Sequence, residues 1–292
     1  IPLLTLAVVF ATVASAASAS DTGSQDKSQY NLFNPTPADL LRPMNSDQYD
    51  GVLDAHTLDA GHVQIEGSLI NYYEYSTHVY YPGVSYRYSI EQYSWAPRFR
   101  VGLLNNVDFE VNPSYTTRSY NDNGAFTLPY YSESFNITER SSGFGSIGLG
   151  PKINLWGNDG GPTSLAIHPF LSVPPRNGNI LGGVGIPFGW QLPRGIYLKV
   201  ETQFSIADDS SRTDYGEFYN SMSIHKSISK VDAYWYLDTT VTSNPAESWY
   251  GYTGFGAIYQ LTRDLQLFAA LGFGLQSGAF DYNPHFGIVW RY

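Results

Sequence analysis

Hydrophobic and polar residues alternate one by one along most of this chain, beginning abruptly at Gly61. Val63, Ile65 and Leu69 take turns with Gln64, Glu66 and Ser68 in a segment expected to run to about Tyr75. Only a period of two places such apolar groups on one side, so the segment reads as a β-strand with one greasy and one polar face. The pattern returns at 95–102, where Trp95, Pro97, Phe99 and Val101 oppose Arg98, Arg100 and Gly102. It returns again at 107–115, where Val107, Phe109, Val111 and Tyr115 oppose Asp108, Glu110, Asn112 and Ser114. Leu104-Asn105-Asn106 between them predicts a tight turn. Further strands are expected at about 142–156, 163–174, 180–191, 196–207, 218–229, 232–243, 249–261, 265–276 and 282–292, twelve in all.

Two segments fix the character of the faces. Ile196, Leu198, Val200, Phe204 and Ile206 alternate with Tyr197, Lys199, Glu201, Gln203 and Ser205. Leu265, Leu267, Ala269, Leu271, Phe273 and Leu275 alternate with Gln266, Phe268, Ala270, Gly272 and Gly274. Apolar residues outside with polar or small ones inside predict an all-β fold, a transmembrane antiparallel β-barrel of about twelve strands. The links near Asn105, Gly160, Pro193, Lys230 and Arg263 are short, whereas 76–88, 121–141 and 208–217 read as longer outer loops rich in Ser, Asn, Asp and Tyr. Pro97, Pro113, Pro151, Pro169 and Pro187 fall inside expected strands, where bulges or strand ends would accommodate them. Lys226 sits on a supposed outer face, a local misfit.

Composition agrees with a membrane barrel. Charged residues are 14% of the chain against roughly 25% in ordinary soluble domains, and aromatic residues reach 16%. No apolar run in the mature chain approaches the about 18 residues that a spanning helix needs. The absence of cysteine removes disulfides and thiolate chemistry, and the net charge of -10 with no basic stripe argues against a nucleic-acid partner.

Three regions follow from this pattern. Residues 1–19 read as a secretory signal peptide with a truncated start: Leu3–Val13 is an apolar core, Ala14-Ser15-Ala16 and Ala17-Ser18-Ala19 offer cleavage sites, and the basic n-region is missing. The alternative is a short membrane anchor. Residues 20–58 are polar and contain proline, reading as a periplasmic N-terminal segment or one tucked inward. Residues 59–292 form the barrel. Its last strand, with Phe286, Ile288, Trp290 and Tyr292 alternating to an aromatic terminus, resembles the assembly signal of bacterial outer-membrane barrels, which would make the outer-membrane lipid and the assembly machinery its partners.

Leu41-Arg42-Pro43-Met44, then Asp47, then the run from Asp59 through Gly61 and His62 to Glu66, resemble the start of the MetA-pathway of phenol degradation family. Where that family commonly shows Asp-Arg-Pro, this chain has Asp47-Gln48-Tyr49. The resemblance implies outer-membrane uptake of small organic, including aromatic, solutes.

Parity sends Arg98, Arg100, Asp108, Glu110, Lys152, Lys199, Glu201, Asp238 and Arg291 to the lumen, with the rings of Tyr72, Phe170, Tyr197, Tyr234, Tyr236, Tyr252 and Phe268. These charges either set a field across a constriction or pair into a network that fills the barrel. The tight turn brings Glu110 opposite Arg100 or Arg98. Trp156, Trp190, Trp235, Trp249 and Trp290 suit interfacial girdles.

Chemistry on a solute is not expected. Ser223, His225 and Ser227 share one face, and with His168 and His285 they are the only hint of a lipid hydrolase. Gly143, Gly145 and Gly148 fit a G-x-G-x-x-G spacing but lack a following helix. No metal-ligand spacing occurs among the six histidines, so neither catalytic residues, metal nor cofactor are predicted. A structural or adhesive barrel remains the alternative to a channel, through the tyrosines at 80, 81, 86, 120, 130 and 131.

Overall fold

The computed structural model describes residues 26–128, 131–176, 178–208, 214–243, 249–276 and 279–292; the segment 1–19 expected to be a signal peptide lies outside them. Fifteen strand segments follow one another: β1 (Val63–Tyr81), β2 (Val84–Trp95), β3 (Arg98–Leu104), β4 (Val107–Asn112), β5 (Tyr115–Leu128), β6 (Tyr131–Phe144), β7 (Ile147–Trp156), β8 (Thr163–Val173), β9 (Leu181–Leu192), β10 (Ile196–Asp208), β11 (Asp214–Ile228), β12 (Val231–Thr242), β13 (Trp249–Thr262), β14 (Leu265–Gly274) and β15 (Tyr282–Arg291). Three pairs, β2 with β3, β4 with β5 and β6 with β7, are single staves with one break each, so the wall has twelve antiparallel staves. Pairing of β15 with β1 closes it. Closure leaves no barrel edge to solvate, which is what a sheet needs to cross hydrocarbon.

The breaks fall where proline removes a ladder donor. Ala96-Pro97 separates β2 from β3, and the register slips there: Val63 faces Val101, but Tyr72 faces Tyr93. Pro113-Ser114 separates β4 from β5 opposite Gly145-Ser146, the gap between β6 and β7. Pro151 and Pro169 remain within strands. The pairs Leu149–Leu171 and Ile153–Ile167 place the two prolines opposite one another, and the ladder skips that stretch. Two residues without N–H groups share one interruption there.

Outward positions carry the apolar side chains. Phe204, Phe255, Leu155 and Leu171 are exposed, as are Trp95, Trp190, Trp235, Trp249 and Trp290. Lys226 pairs with Ile196 at the very start of β10 and its ammonium reaches the Arg194 carbonyl, so it sits at the rim near the short turns.

Two expectations need correction. The segments 76–88 and 121–141 are not loops over most of their length: β1 and β2 continue to a hairpin at Pro82-Gly83, and β5 and β6 pair from Tyr115–Phe144 up to Leu128–Tyr131. Side chains there alternate without apolar contrast because both faces lie beyond the band where hydrocarbon enforces it. The second concerns Tyr72. A bulge between Ser68 and Ile70 shifts the register of β1 against β15, leaving the neighbours Leu69 and Ile70 both exposed, at 59% and 55%. Beyond the bulge the parity is inverted. Asn71, Tyr73 and Tyr75 line the interior, while Tyr72 turns away and packs at 5.0 Å from the exposed Tyr93.

The N-terminal segment enters the barrel from the end bearing the short turns. Its base is tied there: Asn31 bridges Leu104, the Leu32 N–H donates to the Leu103 carbonyl, and Thr36 donates to Ala60. Residues 42–60 then run into the lumen and back, the inward-tucked course of the two that the sequence left open. Gly51 turns the tip with φ of +73°, a conformation that L side chains adopt only with strain. The returning limb packs backbone to backbone at Gly102, where a Cβ would stand 2.0 Å from the Asp59 carbonyl oxygen.

Candidate functional site

The inserted loop meets the wall mainly through its acids. Asp47 Oδ2 lies 2.5 Å from Lys152 Nζ and 3.3 Å from both Arg98 and Arg100. Arg100 also reaches Glu66 at 3.1 Å and Asp108 at 2.6 Å. Glu110 lies 3.1 Å from Lys152 and within 3.6 Å of both arginines, and the register sets Arg100 directly opposite it. The loop is held to this cluster a second time, because Ser46 Oγ and the Asp47 N–H both donate to Glu66. Burial opposes ionisation of Asp47, yet the ammonium of Lys152 and the guanidinium groups of Arg100 and Arg98 outweigh it and hold the carboxyl well below the usual range.

A second cluster surrounds Asp50. Both its oxygens stand 3.0 Å from Lys199 Nζ, and it accepts from Ser223 Oγ at 2.6 Å. Burial would raise its carboxyl, but Lys199, His225 and Ser223 bring it below the ordinary value. Tyr49 fills the adjoining space: its ring lies among His225, Tyr234 and Phe268, Lys199 Nζ sits 5.1 Å from the ring centre, and its carbonyl accepts from Tyr234 and from His285. On the returning limb Leu53 donates to Glu201, and Ala55 accepts from Asn154. Asp54 is also depressed: burial opposes ionisation, and the His56 ring beside it at 2.5 Å outweighs burial.

A third cluster closes the base. Arg42 joins Asp59, Asp159 and the Asn105 carbonyl, and Arg291 joins Asp264 at 2.7 Å. Asp159, in the turn after β7, is held down to about 2: burial raises it, but the Arg42, Asn105 and Lys27 donors prevail.

Among the sequence-predicted lumen residues, Arg98, Arg100, Asp108, Glu110, Lys152, Lys199, Glu201 and Arg291 therefore lie against the loop instead of a free bore. Phe170 stacks on His168, and Tyr252 stacks on Phe280 at 4.2 Å. Sequence reasoning missed Asp47, Tyr49, Asp50, Asp54, His56, Tyr73, Phe280 and the buried Glu66. The one available signal was acids at 47, 50, 54 and 59 in a segment preceding a wall rich in inward cations.

Two cavities flank the loop. The inner one, about 560 Å³, is lined at the turn end by Arg42, Asp54, His56, Tyr197, Lys199 and Asp232. The outer one, about 350 Å³, is lined by Tyr73, Tyr75, Tyr236, Asp238, Tyr252 and Phe280 among others. Tyr49 borders the first and Asp50 the second.

Ser223, His225 and Asp232 stand in order, with Ser223 Oγ 3.0 Å from His225 Nε2 and His225 Nδ1 3.0 Å from Asp232. These are the distances of a hydrolase triad. Asp50 stands in the way, at 2.8 Å from His225 Nε2 and accepting the Ser223 hydroxyl. With a carboxylate facing each ring nitrogen, the imidazole has no free lone pair with which to take a proton from serine.

Over residues 54–292, more than four-fifths of the chain, the sequence matches the model of a family described as Putative MetA-pathway of phenol degradation. The chain belongs to this family. The matched region includes Asp59–Glu66, and Leu41–Asp47 precede it. The phenol-degradation family member shares its barrel form with solved structures of low identity. The NanC porin is 10% identical with a TM-score of 0.47, covering 78% of this chain and 98% of that one. An outer-membrane channel from Pseudomonas putida F1 is 14% identical with a TM-score of 0.47, covering 85% and 98%. An anion-selective porin from Comamonas acidovorans is 8% identical with a TM-score of 0.39, covering 79% and 98%. The sequence matches no curated protein. A closed twelve-stave wall, apolar outside and polar within, gives this family member the form of an outer-membrane-type β-barrel.

Proposed function

We propose that the protein is a passive outer-membrane channel for small organic solutes, aromatic ones included, closed at rest by its own residues 42–60. The observation that carries this reading is the pair of cavities, about 560 and 350 Å³, separated by the loop tip at Tyr49–Gly51. A barrel of twelve staves is too wide for wall side chains alone to fill and narrower than an open general porin. Here a loop fills the remainder, so retraction of the tip would join two existing spaces. The family and the porin-like neighbours support this reading, and the occluded Ser223–His225 pair speaks for transport over hydrolysis. Outward apolar residues would face lipid, and the terminal Phe286, Ile288, Trp290 and Tyr292 would engage the assembly machinery.

The test is conductance and liposome flux of the refolded full chain, with phenols, aromatic acids and a sugar as solutes. Replacing Tyr197, Tyr234 and Phe268 with Ala should change aromatic flux more than sugar flux. Absence of conductance and flux in both wild type and Asp50→Asn would overturn the channel in favour of a structural or adhesive barrel, and lipid hydrolysis would favour an enzyme. One feature favours the adhesive alternative: β6 pairs only with β5 among the described residues, leaving a strand edge beyond the barrel.

A further inference from the structure

We infer that the outer cavity is a binding site for an organic cation, an ammonium group attached to a small aromatic or alkyl body. Its lining contains no lysine or arginine but two carboxylates, Asp50 and Asp238. The Asp50 charge is answered from the other side by Lys199 and His225. Asp238 is met by the Tyr219 hydroxyl but by no cation. It forms no ion pair among the described residues, and its Oδ1 is buried without a hydrogen-bond partner. Buried polar atoms are normally satisfied, so an orphaned carboxylate oxygen on a cavity wall points to a group supplied from outside the chain.

The rest of the lining suits the same class. Tyr73 and Phe280 meet edge to face at 5.2 Å, Tyr75 and Phe280 at 6.2 Å, and Tyr252 lies flat on Phe280; Tyr236 completes the wall. Ring faces carry negative quadrupole potential and attract cations, most strongly where water is displaced. Carboxylate and rings therefore act with one sign. The inner cavity differs, since Lys27, Arg42 and Lys199 there oppose Asp54, Asp159 and Asp232. A volume of about 350 Å³ accommodates a single-ring amine and lies at the lower end of ordinary small-molecule pockets. Gln48, Asp50 and Gly51 border the cavity, and a Cβ at Gly51 would stand 3.6 Å from Asp238 Oδ2, so a bound cation would rest beside the loop tip.

The inference deepens the channel reading and rests on it only for the site's place on a solute's path. Calorimetry on the full chain folded in detergent, with 2-phenylethylammonium, neutral 2-phenylethanol and anionic phenylacetate, tests it. The ammonium should bind at least about tenfold tighter than the alcohol, and phenylacetate weakest. Asp238→Asn should reduce the preference to about twofold or less, Asp238→Glu should retain it, and Tyr252→Leu should weaken the ammonium alone; heat-modifiable gel mobility checks that each barrel is closed. Equal affinities for the three probes, or an ammonium preference surviving in Asp238→Asn, would overturn the site. Parallel liposome flux separates the two claims: binding with preference but no flux removes the channel and keeps the site, whereas flux without preference does the reverse.

Discussion

Asp50→Asn is the sharpest probe of the loop. Lys199 is 1% exposed, and Asp50 is the only carboxylate within 4 Å of its ammonium among the described residues; its next contact is the Ser46 carbonyl at 3.4 Å. Asparagine keeps the shape but leaves that ammonium buried without a counter-charge. Breaking one side of a buried pair costs about 3–5 kcal/mol. Retracting the tip readmits water to Lys199 and relieves the penalty, so the cost falls on the docked state. At 1.4 kcal/mol per tenfold, the docked-to-retracted ratio should drop by roughly 100-fold or more. Single-channel recording should show open probability rising accordingly, with faster amide exchange over 44–57. Adding Lys199→Met to Asp50→Asn removes both buried charges and should recover much of the docking. Unchanged open probability and exchange in Asp50→Asn, or no recovery in the double variant, would refute the ion-pair latch.

Glu110→Gln leaves Lys152 with Asp47 alone and removes a neighbour from Arg98 and Arg100; reversal potentials across a salt gradient should shift towards anions, and no shift would exclude Glu110 from setting selectivity. For pH, the carboxyls of Asp47, Asp50 and Asp54 are depressed in the docked loop, so their stabilisation is complete above the ordinary carboxylate value and is lost as pH falls through the depressed ones. Open probability should therefore stay flat from about pH 8 to 5 and rise only below about pH 4; a rise near neutrality would contradict this. Tyr73→Cys should react with a lumen-permeant aqueous reagent faster than Tyr72→Cys, and the opposite order would remove the bulge at Ser68–Ile70.

Much of the wall was legible because hydrocarbon outside and polar groups inside enforce a period of two. Strands such as β10 and β14 stand where that contrast is strongest. It fades in the upper parts of β1, β2, β5 and β6, which is why those strands read as loops. The β1 bulge was written as two adjacent apolar residues, Leu69 and Ile70, but a single alternation error looks the same as noise, and Tyr72 was carried to the wrong face with it. The inserted loop left a fainter trace. Its buried anchors are aspartates, whose burial depends on cations from β3, β7 and β10 that sequence order keeps distant. The candidate site was thus half visible: the wall charges were recognisable, and the acids that meet them were not.

Both ends of the loop are fastened at the turn end, by Asn31 to Leu104 and Thr36 to Ala60 on the one hand and by Gly61 to Gly102 on the other. A retracted tip is therefore never released into bulk solution. It remains at an effective local concentration on the order of millimolar for a short flexible tether, so reclosure is an intramolecular event whose rate owes nothing to protein concentration. A protease cut at the tip would leave two stubs, each still leashed to the wall, in place of one freed terminus.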